Sequence, residues 1–410
     1  MRETDSISVA LLTGGSDKPY VIGLTGALEI EGVCQELIGS DELDCPEIRN
    51  RRGLRFLNLR GSQQQDASIR QKISRITRYY LRLLRYALSA KPKIFHILWN
   101  NKFEHFDRTI LMSFYKAFGK KVVFTAHNVN AAKRDKIDSA FNRFTLWFQY
   151  HLSDHILVHT EKSKTELLEQ FGMSSARVTV IPFGINNAVP HTELTTASAK
   201  RKLGLADDEK ILLFFGRITP YKGLEYIINA IRELSAQDKK YRLIVAGRPD
   251  NCETYWNTVR RDLQQDVESG RVVLRSNFIP DEEVEIYFKA ADALVLPYTE
   301  IYQSGVLFLA HSFGLPVIAA DVGSLKDDIV ENETGFVFRP SDSVDLARVV
   351  QRYFASNLYR ELPDRRPHIQ AYAAARHSWD IVGDTTVQIY SNLLGLKSAT
   401  TASVFEKRAC

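Results

Sequence analysis

"FFGRITPYKGLEYIINAI", Phe214–Ile231, leaves a buried-type apolar run, turns at Gly216, sets Arg217 and Lys222 on either side of Pro220, and ends in a helix. It reads as strand, turn and helix, with two cations at the strand exit. The same pattern recurs along the chain. In the first half, apolar runs of strand length occur at Ile7–Gly15, Arg55–Arg60, Ile94–Asn100, Lys121–Asn128, His155–Thr160 and Val178–Gly184. After the polar stretch 185–200 they resume at Lys210–Ile218, Tyr241–Arg248, Arg271–Phe278, Ala293–Tyr298, Leu315–Asp321 and Gly335–Phe338. Continuous rather than alternating apolarity means that both sheet faces are covered, hence parallel strands with helices on each side. The expected class is α/β, with two Rossmann-like domains, 1–188 and 189–375, joined near residue 190.

Composition agrees with a folded, two-domain chain. At 410 residues it exceeds one ordinary core, and 44% hydrophobic with 25% charged residues leaves no room for wholesale disorder. The four cysteines, Cys34, Cys45, Cys252 and Cys410, show no C-x-x-C spacing, which fits neither a disulfide framework nor a zinc site and points to a reducing compartment. The start "MRETDSISVALLTGG" lacks the basic, then apolar, order of a signal peptide, and no run of about 20 apolar residues follows. A cytoplasmic location is expected. Net charge is +5, unevenly spread: residues 1–190 carry 27 Lys and Arg against 19 Asp and Glu, the remainder 27 against 30. The basic half should face something anionic.

Open parallel sheets bind ligands beyond the carboxyl ends of their strands, so the chemistry should sit at strand exits, and in a two-domain chain at the cleft between domains. At one exit Gly216 permits a sharp turn, Arg217 offers a planar fork of donors, and Lys222 adds a point charge ahead of a helix N-terminus. Together they suit a diphosphate; the alternative is two solvated loop cations. At another, "TEIYQSGVLFLAHSFGLP", Ser304 and Gly305 precede an apolar helix whose free N–H groups suit an anion. Glu300, just upstream, would accept from sugar hydroxyls, or be an exposed loop carboxylate.

With these motifs in view, "GRITPYKG", "SGVLFLAHSFGLPVIAADVGSLKDDI" and "NETGFVF" resemble the donor-binding domain of family-4 retaining glycosyltransferases of the GT-B fold, and "ARVTVIPFGIN" resembles the passage between its domains. The likeness is dense from Val158 to Phe338 and returns in "HSWDIVGDTTVQIYSNLL", which resembles the C-terminal helix that crosses back to the N-domain. That helix is expected over 376–396, with a loose tail at 397–410. The resemblance implies that Arg217 and Lys222 hold the diphosphate of a nucleotide-sugar, that Gly216 and the amides near Ser304, Gly305 and Val306 line it, and that Glu300 orients the donor sugar. It places the base against Arg248, Phe278 and Ile279, the first phosphate-approaching turn at Gly14 and Gly15, and a sugar-contacting cleft histidine at His127. A glycine pair is also an ordinary strand-to-helix turn, and a histidine ending a strand is as often structural.

One departure stands out. Where the family pattern has a second Glu, for the donor's ribose, this chain has Leu309, and the same spacing puts Ile301 at the first position, so Glu300 fits only with a one-residue loop shift. No D-x-D triplet occurs, so no metal is expected and the cations must stabilise the leaving diphosphate.

For the acceptor, Arg75, Arg78, Arg82 and Arg85 fall three and four residues apart on one face of a helix in 70–93, with Ile73, Ile76, Tyr80, Leu83, Leu84 and Ala87 elsewhere around it. Two readings stay open: peripheral docking on an anionic membrane, or a surface helix with its apolar stripe in the core. The aromatic stretch Phe141–Ile156 is expected to be a buried helix. No nucleic-acid motif accompanies the arginines. The sequence points to a metal-independent hexosyltransferase that moves a hexose from a GDP-mannose or UDP-glucose type donor to a glycan or lipid-linked acceptor. A sugar-nucleotide epimerase and a non-catalytic sugar-nucleotide-binding protein are the alternatives.

Overall fold

The computed structural model describes residues 7–14, 17–63, 68–135, 137–186 and 189–396; Gly15 and the tail 397–410 lie outside them. Among the described residues the strands form two fully parallel sheets. The first has seven: β1 (Ser8–Thr13), β2 (Cys34–Gly39), β3 (Leu54–Asn58), β4 (Ile94–Trp99), β5 (Lys121–Thr125), β6 (His155–Val158) and β7 (Val178–Val180), in the order β3-β2-β1-β4-β5-β6-β7. The second has six: β8 (Lys210–Phe215), β9 (Tyr241–Ala246), β10 (Val272–Arg275), β11 (Ala293–Leu296), β12 (Val317–Ala320) and β13 (Gly335–Phe338), in the order β10-β9-β8-β11-β12-β13. The central runs Val9–Leu12, Ile211–Phe214 and Ala293–Leu296 are buried throughout, as continuous apolarity requires.

The chain divides into two compact units, one reaching Gly184 and resuming at Trp379, the other Ile185–Ser378. In the first, the C-terminal helix Trp379–Leu394 packs along the helix Lys18–Ile30. Its leading indole fills a slot made by two glycines: a Cβ on Gly23 would lie 2.0 Å, and one on Gly184 2.3 Å, from Trp379 ring atoms. Further along, the Tyr390 hydroxyl meets His96 Nδ1 at 2.6 Å, and His96 Nε2 meets Thr125 Oγ1 at 2.7 Å, tying the helix to β4 and β5. All three side chains are buried, which makes an unpartnered substitution costly.

Three details depart from expectation. Strand β2 has no counterpart among the predicted runs because Gln35 occupies a core position, where its Nε2 donates to the Thr25 carbonyl at 2.9 Å. The aromatic helix Ala140–Leu152 is buried on only part of its aromatic surface: Tyr150 is fully buried and Phe141, Phe144 and Trp147 are exposed, while Asn142, Thr145 and Gln149 face inward beside Leu146. The inward polar groups are satisfied, Asn142 by Asn130, Asp138 and Arg108, Thr145 by His105, and Gln149 by Asn100, so burying them is not prohibitive. The basic helix runs Ile69–Ser89 behind a Ser68–Gln71 capping box and buries Tyr79, Tyr80, Leu83 and Ala87, whereas Ile73 is exposed. Among the described residues no helix is long and apolar enough to cross a membrane.

Trp379→Ala should empty the two-glycine slot and lower stability by about 3–5 kcal/mol, read as a drop in denaturant midpoint at unchanged m-value.

Candidate active site

In each sheet the strand order reverses beside the first strand, at β8/β11 in the second unit and β1/β4 in the first, and open parallel sheets hold ligands there. The second unit's switch point contains the two cations. The loops leaving β8 and β11 are stitched together: the Thr299 N–H donates to the Tyr221 carbonyl at 2.8 Å, and Gly223, at φ +62°, lies so close to Pro297 that a Cβ would come within 2.2 Å of its carbonyl oxygen. Only glycine meets both demands.

This stitching buries Lys222. The side chain lies beside Gly216 and Val306, its Nζ 3.1 Å from where a Gly216 Cβ would sit and 5.3 Å from the Tyr298 ring centroid. The residue is 7% exposed, and among the described residues no carboxylate lies within ion-pair distance of it. Burial pushes its pKa down to about 8, with the Arg217 charge acting in the same direction and Tyr221 against it. The ammonium is still the main form at neutral pH, at a cost of about 3 kcal/mol that an anion would offset.

Beside it, the helix Gly305–Ser312 begins with no side-chain cap and no acidic residue in its first turn. Ser304, itself buried, turns its Oγ toward the Tyr298 hydroxyl at 3.5 Å instead. The helix is held by Leu307, Phe308, Leu309, Ala310 and His311, all buried, and the Leu307 N–H already donates to the Ser304 carbonyl at 3.1 Å, so the N–H groups of Gly305 and Val306 are the ones placed for a ligand. Leu309 therefore serves packing, and no carboxylate replaces the absent Glu on this helix.

The remaining predicted residues of this unit spread outward. Arg217 is two-thirds exposed and gives one N–H to Asp250 at 3.0 Å, leaving its other donors in solvent. Arg248 is exposed with its Cζ 5.9 Å from the Phe278 ring, at the exits of β9 and β10; Phe278 is exposed and Ile279 buried. That pair offers a flat face for a base. Glu300 is exposed and makes no ion pair or hydrogen bond among the described residues.

At the first unit's switch point the Gly14 N–H donates to the Trp99 carbonyl at 3.0 Å. His127, just past β5, stacks on Trp99 with centroids 4.3 Å apart and planes 4° apart, and meets Tyr20 edge-on. Its Nδ1 lies 3.0 Å from His159 Nε2, and His159 Nδ1 lies 3.3 Å from the Ile181 carbonyl. A carbonyl only accepts, so His159 donates to Ile181, accepts from His127 Nδ1–H, and leaves His127 Nε2 as a lone pair. That nitrogen is buried without a hydrogen-bond partner, and the nearby Leu98 backbone favours the charged ring less than burial disfavours it. Tyr298, Trp99 and His159 were not among the predicted residues, and each is marked in sequence only as an aromatic at a strand exit.

Residues 40–189 match the family described as Glycosyltransferase Family 4, and residues 196–373 match Glycosyl transferases group 1. The chain belongs to the family-4, group 1 glycosyltransferases. A D-inositol 3-phosphate glycosyltransferase from Thermobispora bispora is 28% identical over 292 residues, covering 68% of this chain and 66% of that protein. Across relatives of that description the chain spans little more than half to two thirds of their length, 57% in one from Kineococcus radiotolerans. The fold is GT-B: sucrose-phosphate synthase from Thermosynechococcus elongatus superposes at TM-score 0.74, with 20% identity over 95% of this chain and 99% of that one. Anabaena Alr3699/HepE in complex with UDP gives 0.72 and 16%, over 94% and 100%.

Two expectations follow for this family member. Since the folded pKa of Lys222 lies below its unfolded value, its charge destabilises the native state at neutral pH, and the penalty fades as pH rises from 8 toward 10.5. Lys222→Met should therefore raise the melting temperature of the ligand-free protein at pH 7 and abolish any further rise on adding UDP or GDP. Burial also holds His96 near pKa 3, His159 near 4 and His127 well below 6.5. Below pH 6.5 the unfolded chain binds protons that the native state refuses, so stability should fall on acidification by about 1.4 kcal/mol per group and pH unit. His159→Gln should flatten that slope in melts between pH 4.5 and 6.5.

Proposed function

We propose that the protein transfers a hexose from a nucleoside-diphosphate sugar, of the UDP-glucose or GDP-mannose type, to a glycan or lipid-linked acceptor. The observation that carries this is the buried Lys222 ammonium, without a carboxylate partner among the described residues, beside the uncapped helix N-terminus at Ser304. Both favour a dianionic diphosphate, and such a site costs stability unless something anionic occupies it. The Arg248–Phe278 pair accommodates the base, and Arg217 adds charge at the solvent edge. The UDP complex of the Anabaena protein, which shares this fold, supports a uridine nucleotide as one candidate.

In the proposed reaction the acceptor oxygen bonds to the anomeric carbon as the bond from that carbon to the phosphate oxygen breaks. The acceptor's proton passes to the departing phosphate, on the same face, so configuration is retained. Lys222 and the N–H groups of the Gly305–Ser312 helix stabilise the charge that develops on the leaving group. Metal independence is part of this reading, the cations supplying the neutralisation.

The test is product analysis with each donor. Transfer to an acceptor, undiminished by a chelator and reduced by about 10²–10³-fold in Lys222→Ala at unchanged fold, is the expected result. Isomerised donor, tight binding without turnover, or normal kinetics in Lys222→Ala would contradict it.

A further inference from the structure

The exit of β3 and the N-terminal half of the Ile69–Ser89 helix enclose a groove of about 470 Å³ that receives Arg60, Arg70, Arg75, Arg78 and Arg82. Arg75, Arg78 and Arg82 share one helical face, and Arg60 comes from the opposite wall, so the charges converge rather than spread. Among the described residues none of the five pairs with a carboxylate, although in the same unit Arg49, Arg51 and Arg55 pair with Asp44, Glu29 and Glu36. A groove of about 950 Å³ in the second unit shows the contrast: its Arg232 and Arg271 are matched by Asp262 and Asp266. There the charges are neutralised internally.

Two of the five are fixed in advance. Arg60 donates to the Thr13 carbonyl at 3.1 Å and lies 5.6 Å from the Tyr79 ring centroid, and Arg75 donates to the Ser62 carbonyl at 2.6 Å. Each bond uses one of the guanidinium's donors and leaves others free, in the fork geometry that matches phosphate. Thr13 ends β1, the strand at which the first sheet reverses its order, so the groove adjoins the ligand-binding end of that sheet.

We propose that this groove binds a phosphate group carried by the acceptor. The identification of that ligand as the acceptor rests on the transfer function proposed above; its phosphate chemistry rests on the groove alone. Two sources share the chemistry, a free phosphorylated sugar and the phosphate headgroup of a lipid.

The experiment uses the full chain, glucose 6-phosphate by calorimetry, and sedimentation with phosphatidylcholine vesicles containing phosphatidic acid. Saturable binding of one probe is expected, weakened at least tenfold in the Arg78→Glu, Arg82→Glu double variant at unchanged melting temperature, partly kept in the Lys pair, and unaffected in Lys222→Ala. Binding of glucose 6-phosphate identifies the soluble source; vesicle binding displaced by inorganic phosphate identifies the lipid. The proposal is overturned by no saturable binding of either probe, by equal sedimentation with oleate in place of phosphatidic acid, or by loss in Lys222→Ala instead of the double variant. Normal donor turnover in Lys222→Ala would overturn the function above while leaving the groove's chemistry standing.

Discussion

A protonated amine removed from water, with no counter-charge among the described residues, is the constraint around which the second unit is organised. The Lys222 ammonium rests on the Tyr298 ring, beside Gly216 and Val306, and burial lowers its proton affinity without discharging it at neutral pH. Keeping it there needs two loops at fixed separation, which the Tyr221–Thr299 hydrogen bond and the Gly223–Pro297 contact supply. Those loops leave β8 and β11, the pair of strands at which the sheet's order reverses. Fold and charge are thus one arrangement: at the reversal, where such sheets hold ligands, the stitched loops place a cation that no carboxylate among the described residues pairs with.

Most of this was legible in the sequence. The apolar runs that became β8 through β13 are continuous and are bounded by glycine, proline or charge, so the strands and their exits could be placed from pattern alone. The placement of Lys222 and Ser304 at strand exits could be read from pattern, and strand exits are where such sheets bind ligands. The burial of Lys222 could not be read, since it depends on Tyr298 and Pro297, about 75 residues away in the chain. Strand β2 was hidden for a related reason: Gln35 reads as surface, yet it is buried with its Nε2 donating to a carbonyl on the neighbouring helix. The helix Ala140–Leu152 misleads in the opposite sense, because a network of Asn, Arg and Thr side chains permits its polar face to turn inward. Apolar periodicity cannot register partners that lie elsewhere in the fold.

Charge in the first unit obeys the same logic at lower burial. The excess of basic residues in the first 190 is not spread as a uniform positive field; part of it converges on the groove walled by Arg60 and the Ile69–Ser89 helix. At the same sheet end, His127 is held neutral between Trp99 and His159, presenting a lone pair rather than a charge. On the proposed reading the arginine groove takes an anion and the His127 lone pair a hydroxyl donor, as a phosphorylated carbohydrate would supply.

The central claim, that Lys222 awaits a diphosphate, is tested most directly by following the proton of its amine. With the lysine side chains labelled at Nζ and Lys222 assigned by comparison with Lys222→Met, an NMR titration should give a pKa near 8 without ligand and a rise of at least one unit with saturating nucleoside diphosphate. The same pKa with and without a bound nucleotide would contradict the account.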